Sequence, residues 1–231
     1  GQPLNLSELD IKGLGKAKYI LKQGGTLGDL YTTSDLKFND NGYVEVDKAG
    51  NLLLTDEGEQ IYLGSVFPSE NLAWRNDFRY KGINLGLLFT GRIGGICYSA
   101  TQANMDLYGV SEVSAAARDA GGVLINGREM VDAQKWYQAI GPQSGLPQYY
   151  TYSATNIRLQ ELSLGYTLPA KWFRDKMRMT VSFVGRNLWM IYCKAPFDPE
   201  AVASTGLNYQ GIDYFMMPSM RSLGFNVQFQ F

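Results

Sequence analysis

The chain has 231 residues, of which 45% are hydrophobic and 19% are charged, and this composition is typical of a folded protein rather than a disordered one. A net charge of -1 gives no electrostatic case for nucleic-acid binding, and the absence of histidine removes histidine-dependent triads and most zinc sites. The 26 glycines and 15 tyrosines favour a β-barrel or a β-sandwich over a helical bundle.

The first predicted strand covers residues 10–22, where Tyr19-Ile20-Leu21 is apolar. A long loop is predicted over 23–71, because repeated glycines and aspartates break this stretch into short pieces. Within it, Asn41-Gly42 lies between two apolar runs and predicts a hairpin.

Two amphipathic strands, over 72–80 and 83–94, follow the long loop. Apolar residues occupy alternate positions in both, and Lys81-Gly82 forms the turn between them. A tight turn with two alternating strands predicts an antiparallel hairpin of defined register.

A second long loop is predicted over 95–154, and it carries two short helices. Ser111 is a suitable N-cap for the first helix, Glu112 lies in its first turn, and Gly121-Gly122 ends it. The second helix is predicted over 130–140, and Gly141-Pro142 stops it.

The remaining predicted strands cover 155–168, 177–190 and 219–231, with a third long loop over 193–218. The last strand alternates most clearly: its apolar residues share one parity, and glycine, asparagine and glutamine occupy the other. The apolar residues of this strand are Leu223, Phe225, Val227, Phe229 and Phe231.

Such alternation has two interpretations. One is a membrane β-barrel, with apolar side chains toward lipid and polar ones toward the lumen. The other is a soluble extracellular carbohydrate-binding β domain, which would bury Leu162, Leu164, Phe225 and Phe229 in a closed sandwich. Short turns and long loops alternate along the chain, so all long loops fall at one end of the strands, and this favours the barrel.

Four segments near the end of the chain resemble the C-terminal part of SusC/RagA-like TonB-dependent outer-membrane transporters. These segments are NIRLQELSLGYTLP (156–169), GRNLWMIY (185–192), APFDPE (195–200) and PSMRSLGFNVQFQF (218–231). Upstream pieces are similar in the same order: GTLGDLYT (25–32), YLGSVFP (62–68), FRYKGINLGLLFTGRIGG (78–95) and GVSEVSAAARDAGGV (109–123).

The resemblance implies an all-β fold, in which these strands are the C-terminal strands of a large antiparallel transmembrane barrel whose long extracellular loops carry short helices. The whole barrel would have about 22 strands around a plug, and this chain would supply about the last six. The signal peptide, the TonB-contacting segment and the plug would lie upstream. The family imports glycan or peptide fragments across the cell outer membrane, with a SusD-like surface lipoprotein as a lid and TonB as the energy source; no cofactor is implied.

Aromatic residues crowd the predicted loops and are the candidate substrate-binding residues, because sugars stack on aromatic faces. The alternative is that these rings pack the loops together or contact the lid protein. The candidates are Trp136, Tyr137, Tyr149, Tyr150, Tyr152, Tyr209 and Tyr214, with Phe215 beside the last of them.

Charged loop residues give no catalytic site. Asp198-Pro199-Glu200 offers two carboxylates, too few for calcium, and the sequence favours a turn in which Asp198 accepts hydrogen bonds from nearby amides. No acid pair supports a glycosidase, so the protein is predicted not to be an enzyme.

Arg178 and Arg186 share the parity of the residues predicted to face the lumen, and Arg158 and Arg221 lie in or near strands. Trp172, Phe173, Trp189 and Tyr192 are predicted membrane-interface aromatics, and Cys97 and Cys193 give no metal-binding spacing.

Overall fold

The computed structural model describes residues 5–10 (backbone only), 16–56, 58, 60–142, 145–174, 176–203 and 210–231. These residues form two compact units. The loop unit is drawn from 1–67, 95–153 and 202–216, and the sheet unit from 68–94, 154–201 and 217–231.

Strands account for most of the regular structure. The strands are β1 Asn5–Asp10, β2 Ala17–Lys22, β3 Asp29–Thr32, β4 Ile61–Ser65, β5 Glu70–Tyr80, β6 Ile83–Ile93, β7 Ile96–Ser99, β8 Val123–Ile125, β9 Glu129–Val131, β10 Thr151–Ser153, β11 Asn156–Thr167, β12 Arg178–Cys193, β13 Ile212–Asp213 and β14 Ser222–Gln230. The α-helices are α1 Ala100–Leu107, α2 Glu112–Asp119 and α3 Ala133–Ile140, with 3-10 turns at Pro147–Tyr150 and Ala170–Phe173. In the described part of the chain, no helix is long and apolar enough to cross a membrane.

The sheet unit is one antiparallel sheet with strand order β14-β12-β11-β6-β5. Lys81 and Gly82 make a two-residue turn between β5 and β6, and both have positive φ (46° and 88°). This geometry suits the right-handed twist of the flanking strands. Thr167 lies beside the turn, and its amide donates to the Gly82 carbonyl at 2.7 Å.

The strand register puts every long connection of the sheet at one end. Asn156, at the start of β11, pairs with Arg92 near the end of β6 and with Cys193 at the end of β12. The connections that leave this end contain 95–153 and 202–216 of the loop unit. In the described part of the chain, the connections at the opposite end are the turn at Lys81-Gly82 and the short segment between Thr167 and Arg178.

A β-bulge in β11 keeps its apolar residues on one face. The register shifts between Leu159 and Glu161 against both neighbouring strands. Without the extra residue, the period of two would turn Leu159 to the face opposite Leu162. With it, Leu159 pairs with Phe89 and Leu162 with Leu87, two residues of the same parity in β6.

The loop unit contains the main buried core. A four-stranded antiparallel sheet has the order β1-β2-β3-β4, and a smaller sheet places β7 between β10 and the parallel strand β13. The core is formed by side chains from these sheets, from α1 and α3, from β8 and β9, and from the connecting segments; its largest fully buried members include Tyr98, Leu30, Leu36 and Leu146.

The two helices and the hairpin that local sequence patterns predict are found in the loop unit, although one helix begins later than predicted. Helix α2 forms as predicted, because the Ser111 side chain accepts from the Ser114 amide and Glu112 occupies the first turn. The second predicted helix begins only at Ala133, after β9, since Asp132 is the residue that caps it. The hairpin at Gly42 is also found, with Phe38 opposite Val44.

The strand predicted over residues 10–22 does not belong to the sheet unit. Ala17–Lys22 pairs with β1 and β3 in the loop unit, while 11–15 lie outside the described residues. The sheet unit therefore has five described strands where the sequence suggests about six. Alternation cannot identify which sheet a short apolar run joins, because that depends on non-local pairing.

Candidate functional site

The sheet unit has one exposed apolar face. Cross-strand pairs on this face include Phe78 with Leu85, Leu85 with Leu164, Leu164 with Phe183, and Phe183 with Phe225. Leu164 is 51% exposed and Phe225 is 82% exposed, although both are large and apolar. A contiguous exposed apolar face of this kind is expected where a sheet meets lipid or another protein.

This exposure disagrees with a closed soluble sandwich. That interpretation requires Leu164, Phe225 and Phe229 to be buried, but Phe229 is also 51% exposed. Leu162, the fourth residue that it names, is only half-buried. The observed exposure therefore disfavours the carbohydrate-binding sandwich.

The opposite face of the sheet is polar and concave. It forms a groove of about 600 Å³ near the short-turn end. Its polar lining comes from Asp77, Arg79, Lys81, Asn84, Ser163, Thr167, Arg178, Thr180, Ser182, Gln228 and Gln230. Hydrogen bonds cross three strands here: Asn84 Nδ2 donates to Thr167 Oγ1 at 2.9 Å, which lies 3.0 Å from Thr180 Oγ1.

Most charged side chains of the sheet unit's described strands lie on the polar face; Glu70, at the long-connection end of β5, has the parity of the apolar face. Arg178 lines the groove, and Arg186 pairs with Glu161 across β12 and β11 at 3.1 Å. Arg75 pairs with Asp77 along β5 at 3.0 Å. A charge on a lipid face costs about 2–4 kcal/mol at the bilayer midplane, so this arrangement matches a lumen wall.

Exposed aromatics lie toward both ends of the sheet. Tyr80 and Trp172 are at the short-turn end, 68% and 69% exposed. Trp189 and Tyr192 are toward the end with long connections, 60% and 41% exposed. Phe173 is half-buried. Two rows of aromatic rings that bracket an apolar band are what a barrel presents to the two membrane interfaces.

A buried arginine near the long-connection end of β11 binds the following loop. Arg158 is 4% exposed, and its Nη2 lies 2.9 Å from Asp198 Oδ1 and 3.4 Å from Glu200 Oε1. Asn156 Oδ1 accepts from its Nε at 3.0 Å. We call these residues, together with Ser219, the Arg158 cluster.

The cluster also explains how Asp198 is held. Asp198 accepts from the amide of Glu200 at 3.1 Å, as the predicted turn requires, and also from the distant amide of Ser219 at 3.2 Å. Burial opposes ionisation, but the hydrogen bonds from Arg158 and the two amides outweigh it and lower the pKa of Asp198. The described residues contain no group of three potential metal-ligating side chains. The sequence did not identify Arg158 as the partner, because 40 residues separate the two.

Four of the candidate substrate-binding aromatics lie within the loop unit's packed interior or against it. Tyr137 and Tyr150 are core residues, 6% and 3% exposed. Trp136 and Tyr149 pack against that core and meet edge to face, with ring centroids 6.3 Å apart. Their contacts match the packing alternative stated above, although an aromatic core residue can still line a cavity.

Three tyrosines of the loop unit are affected by the charge of Asp106. Burial, and then the negative charge of Asp106, raise the pKa of Tyr137, Tyr150 and Tyr152. Burial also raises the pKa of Tyr149 to about 12. These phenols therefore stay protonated near neutral pH and act as hydrogen-bond donors. The Tyr150 hydroxyl is buried and has no hydrogen-bond partner among the described residues.

The remaining candidates differ in accessibility. Tyr152 is half-buried in β10. Tyr214 is 57% exposed and meets Phe215 edge to face, with ring centroids 5.3 Å apart. Tyr209 lies outside the described residues.

Cys97 is buried, Cys193 is half-buried, and both carry thiols.

Comparison with known proteins gives two informative matches. The TonB-dependent receptor P3 of Formosa agariphila is 24% identical over 217 residues, which are 90% of this chain and 21% of that receptor. The RagAB peptide importer in its open-open state shares the fold, with a TM-score of 0.58 and 15% identity over 88% of this chain and 23% of the importer chain. No protein-family model matches.

These matches confirm the resemblance to SusC/RagA-like TonB-dependent transporters that the sequence predicts, and with it the fold class and the location in the outer membrane. The chain spans only about a fifth of the length of the curated relative and about a quarter of the solved structure. Its strands and loops therefore correspond to one section of these longer proteins.

Proposed function

We propose that this section forms part of the wall and of the extracellular loops of a TonB-dependent transporter that imports oligosaccharide or peptide fragments. The observation that carries the proposal is the two-faced sheet, exposed and apolar on one side and concave and polar on the other. A wall between lipid and an aqueous path needs both faces at once.

Each part of the section has a role in this proposal. Leu164, Phe183 and Phe225 contact lipid, while Ser163, Thr180 and Gln228 line the path taken by the substrate. The Arg158 cluster fixes the loop after β12 at the end where substrate enters. The section carries out no bond-making chemistry, in keeping with relatives that are named as a receptor and an importer.

The complete transporter would have two protein partners. A SusD-like surface lipoprotein would cover the extracellular loops, and TonB would act through a part of the transporter outside this chain. Outer-membrane lipid surrounds the apolar face. Of the candidate aromatics that the structure describes, Tyr214 has the largest exposed fraction, and it is available to a substrate or to the lipoprotein.

Fractionation of cells that carry the native locus tests the proposal. The expected result is an outer-membrane band larger than this chain, which migrates faster before boiling than after because an unboiled barrel stays compact. Deletion of the transporter should abolish uptake of a labelled fragment, and loss of TonB should do the same. A soluble band of unchanged mobility would overturn the assignment of the apolar face to lipid.

A further inference from the structure

A small cavity in the loop unit has the chemistry of a sugar-binding site. It has a volume of about 200 Å³ and lies among α1, α2 and α3. Its lining includes Asp106, Tyr108, Gly109, Arg118, Gln134 and Tyr137. We propose that this cavity, which we call the Asp106 pocket, binds one sugar ring of an oligosaccharide; the inference rests on the proposed transport function and selects glycan over peptide.

Asp106 provides a buried, oriented acceptor. The residue is 5% exposed, and its Oδ1 accepts from Gln102 Nε2 at 2.7 Å and from Ser111 Oγ at 2.5 Å. Oδ2 accepts neither of these hydrogen bonds. Because two donors fix the carboxylate while leaving it acceptor capacity, it can receive sugar hydroxyl groups without first reorganising.

Arg118 provides donors in the same cavity. Among the described residues it forms no ion pair, even though Asp106 lines the cavity too. Gly109 makes room for it: a Cβ at this position would lie 2.5 Å from Arg118 Nη1, and the backbone there has φ +69°. The guanidinium and the carboxylate therefore line the same cavity without an ion pair between them, which leaves both to bind a ligand.

Aromatic rings and an amide complete the lining. Tyr137 belongs to the wall, and Tyr108 lines the cavity although it is 69% exposed. Gln134 is an exposed side chain that can both donate and accept. A sugar ring presents C–H faces to aromatic rings and hydroxyls to polar groups, so this mixture suits it.

Size and polarity argue against a peptide. Sites for drug-sized ligands have about 300–1,000 Å³, so this smaller cavity fits one ring rather than a chain. An apolar peptide side chain would cover Asp106 and Arg118 without pairing with them, at a large desolvation cost. One common way to bind an extended peptide backbone is along a strand edge, and this pocket offers none, because its lining comes from helices and the turns beside them.

Calorimetry on the purified full-length transporter tests the proposal. The test ligands are linear hexasaccharides of glucose, mannose and xylose, and a tryptic digest of casein. For a saccharide that binds the wild type, Arg118→Gln and Asp106→Asn are expected to weaken binding about tenfold or more, since each loses a charged hydrogen bond. Asp119→Asn is the matched control: this exposed acid follows Arg118 on α2 but does not line the pocket.

Arg118 is exposed, so its substitution should leave folding intact, and unchanged heat-dependent gel mobility checks this. Saccharide binding that neither variant weakens would overturn the pocket while leaving the transport function in place. Binding of casein peptides alone, or of no test saccharide, would overturn the assignment to glycan. A protein absent from the outer membrane would instead reject the proposed function itself.

Discussion

Leu164 and Ser163 are adjacent in β11 and belong to opposite faces of the sheet. Leu164 pairs with Phe183 on the apolar face, and Ser163 lines the polar groove. Leu164→Arg in the full-length transporter is expected to destabilise the barrel by about 2–4 kcal/mol, because an arginine would be placed in lipid. The measurement is the temperature at which the unboiled form loses its faster mobility, together with the amount of protein in the outer membrane.

Ser163→Arg is the matched control for that substitution. The same side chain is introduced one residue away but faces the groove, so the melting temperature and the yield are expected to stay close to wild type. Equal effects of the two substitutions would contradict the assignment of the faces.

Arg158 is the residue whose loss should disturb a loop most. Arg158→Met leaves the buried carboxylate of Asp198 without its cation, and breaking a buried pair from one side costs about 3–5 kcal/mol. We expect faster proteolysis of the loop after β12, measured on the intact transporter. The double variant Arg158→Met/Asp198→Asn should recover most of the protection, because the unpaired charge is removed as well.

The exposed ion pair of Arg186 with Glu161 should matter less than the buried pair of Arg158 with Asp198. Arg186→Ala breaks the contact with Glu161, but the Arg186 side chain is 64% exposed, so solvent screens the pair and the expected loss is below about 1 kcal/mol. A larger effect for Arg186→Ala than for Arg158→Met would reverse the proposed importance of the two arginines.

The Arg158 cluster should also respond to acid. The folded protein lowers the pKa of Asp198 below its ordinary value of 3.8, so the ionised form is favoured by folding. Its contribution is fully present above 3.8 and is lost as the pH falls through the lower, folded value. Proteolysis of the loop should therefore accelerate in wild type as the pH falls from about 3.8 through the lower, folded value, while Asp198→Asn should flatten this part of the pH profile.

At the scale of elements, the hairpin of β5 and β6 depends on one glycine. Gly82 has φ +88°, and a Cβ there would lie 2.9 Å from the Thr167 carbonyl oxygen. Gly82→Val is expected to lower stability by more than about 1 kcal/mol through backbone strain and this contact. Heat-dependent mobility of the full-length barrel measures the loss.

Lys81→Asn is the companion variant, because Lys81 already has φ 46° and asparagine tolerates this conformation better than lysine. Stability equal to or above wild type is expected. A loss similar to that of Gly82→Val would indicate that the lysine side chain, rather than the turn backbone, sets the stability.

The elements that sequence predicts best are those whose pattern is local. Alternation in β14, the turn at Lys81-Gly82 and the cap at Ser111 each depend on neighbouring residues, and all three are found. The parallel pairing of β13 with β7, and the ion pair of Arg158 with Asp198, join residues far apart in the chain. Such contacts leave no periodic signal, so sequence reasoning missed them.

The candidate site likewise combines features that the sequence shows with features that only the fold shows. Aromatic residues in a loop are visible in the sequence, but whether each ring is buried depends on the packed core, as Tyr137 and Tyr214 illustrate. Asp106 cannot be identified from the sequence, because a single acid three residues before one glycine has no distinctive spacing. Only folding brings it to Arg118 and Gln134 around one cavity.

At the scale of the whole molecule, the sheet unit is open. Its order runs from β14 to β5, and within the described residues each of these strands pairs on one side only. Lipid offers no hydrogen bonds to an unpaired strand edge, and each unsatisfied backbone group there costs several kcal/mol. The neighbouring strands of a complete barrel are therefore needed before this section is stable in a membrane.

Residues 1–231 produced alone are accordingly expected to aggregate, or to remain unfolded in detergent, and to show no faster-migrating form before boiling. The full-length transporter, refolded in the same detergent, is the control and should show that form. The reason is the two open edges, since exposed edges pair with other chains when their proper neighbours are missing. A heat-sensitive, monodisperse monomer of the isolated section would mean that its strands close on themselves. In that case the apolar face could not be assigned to a wide barrel wall.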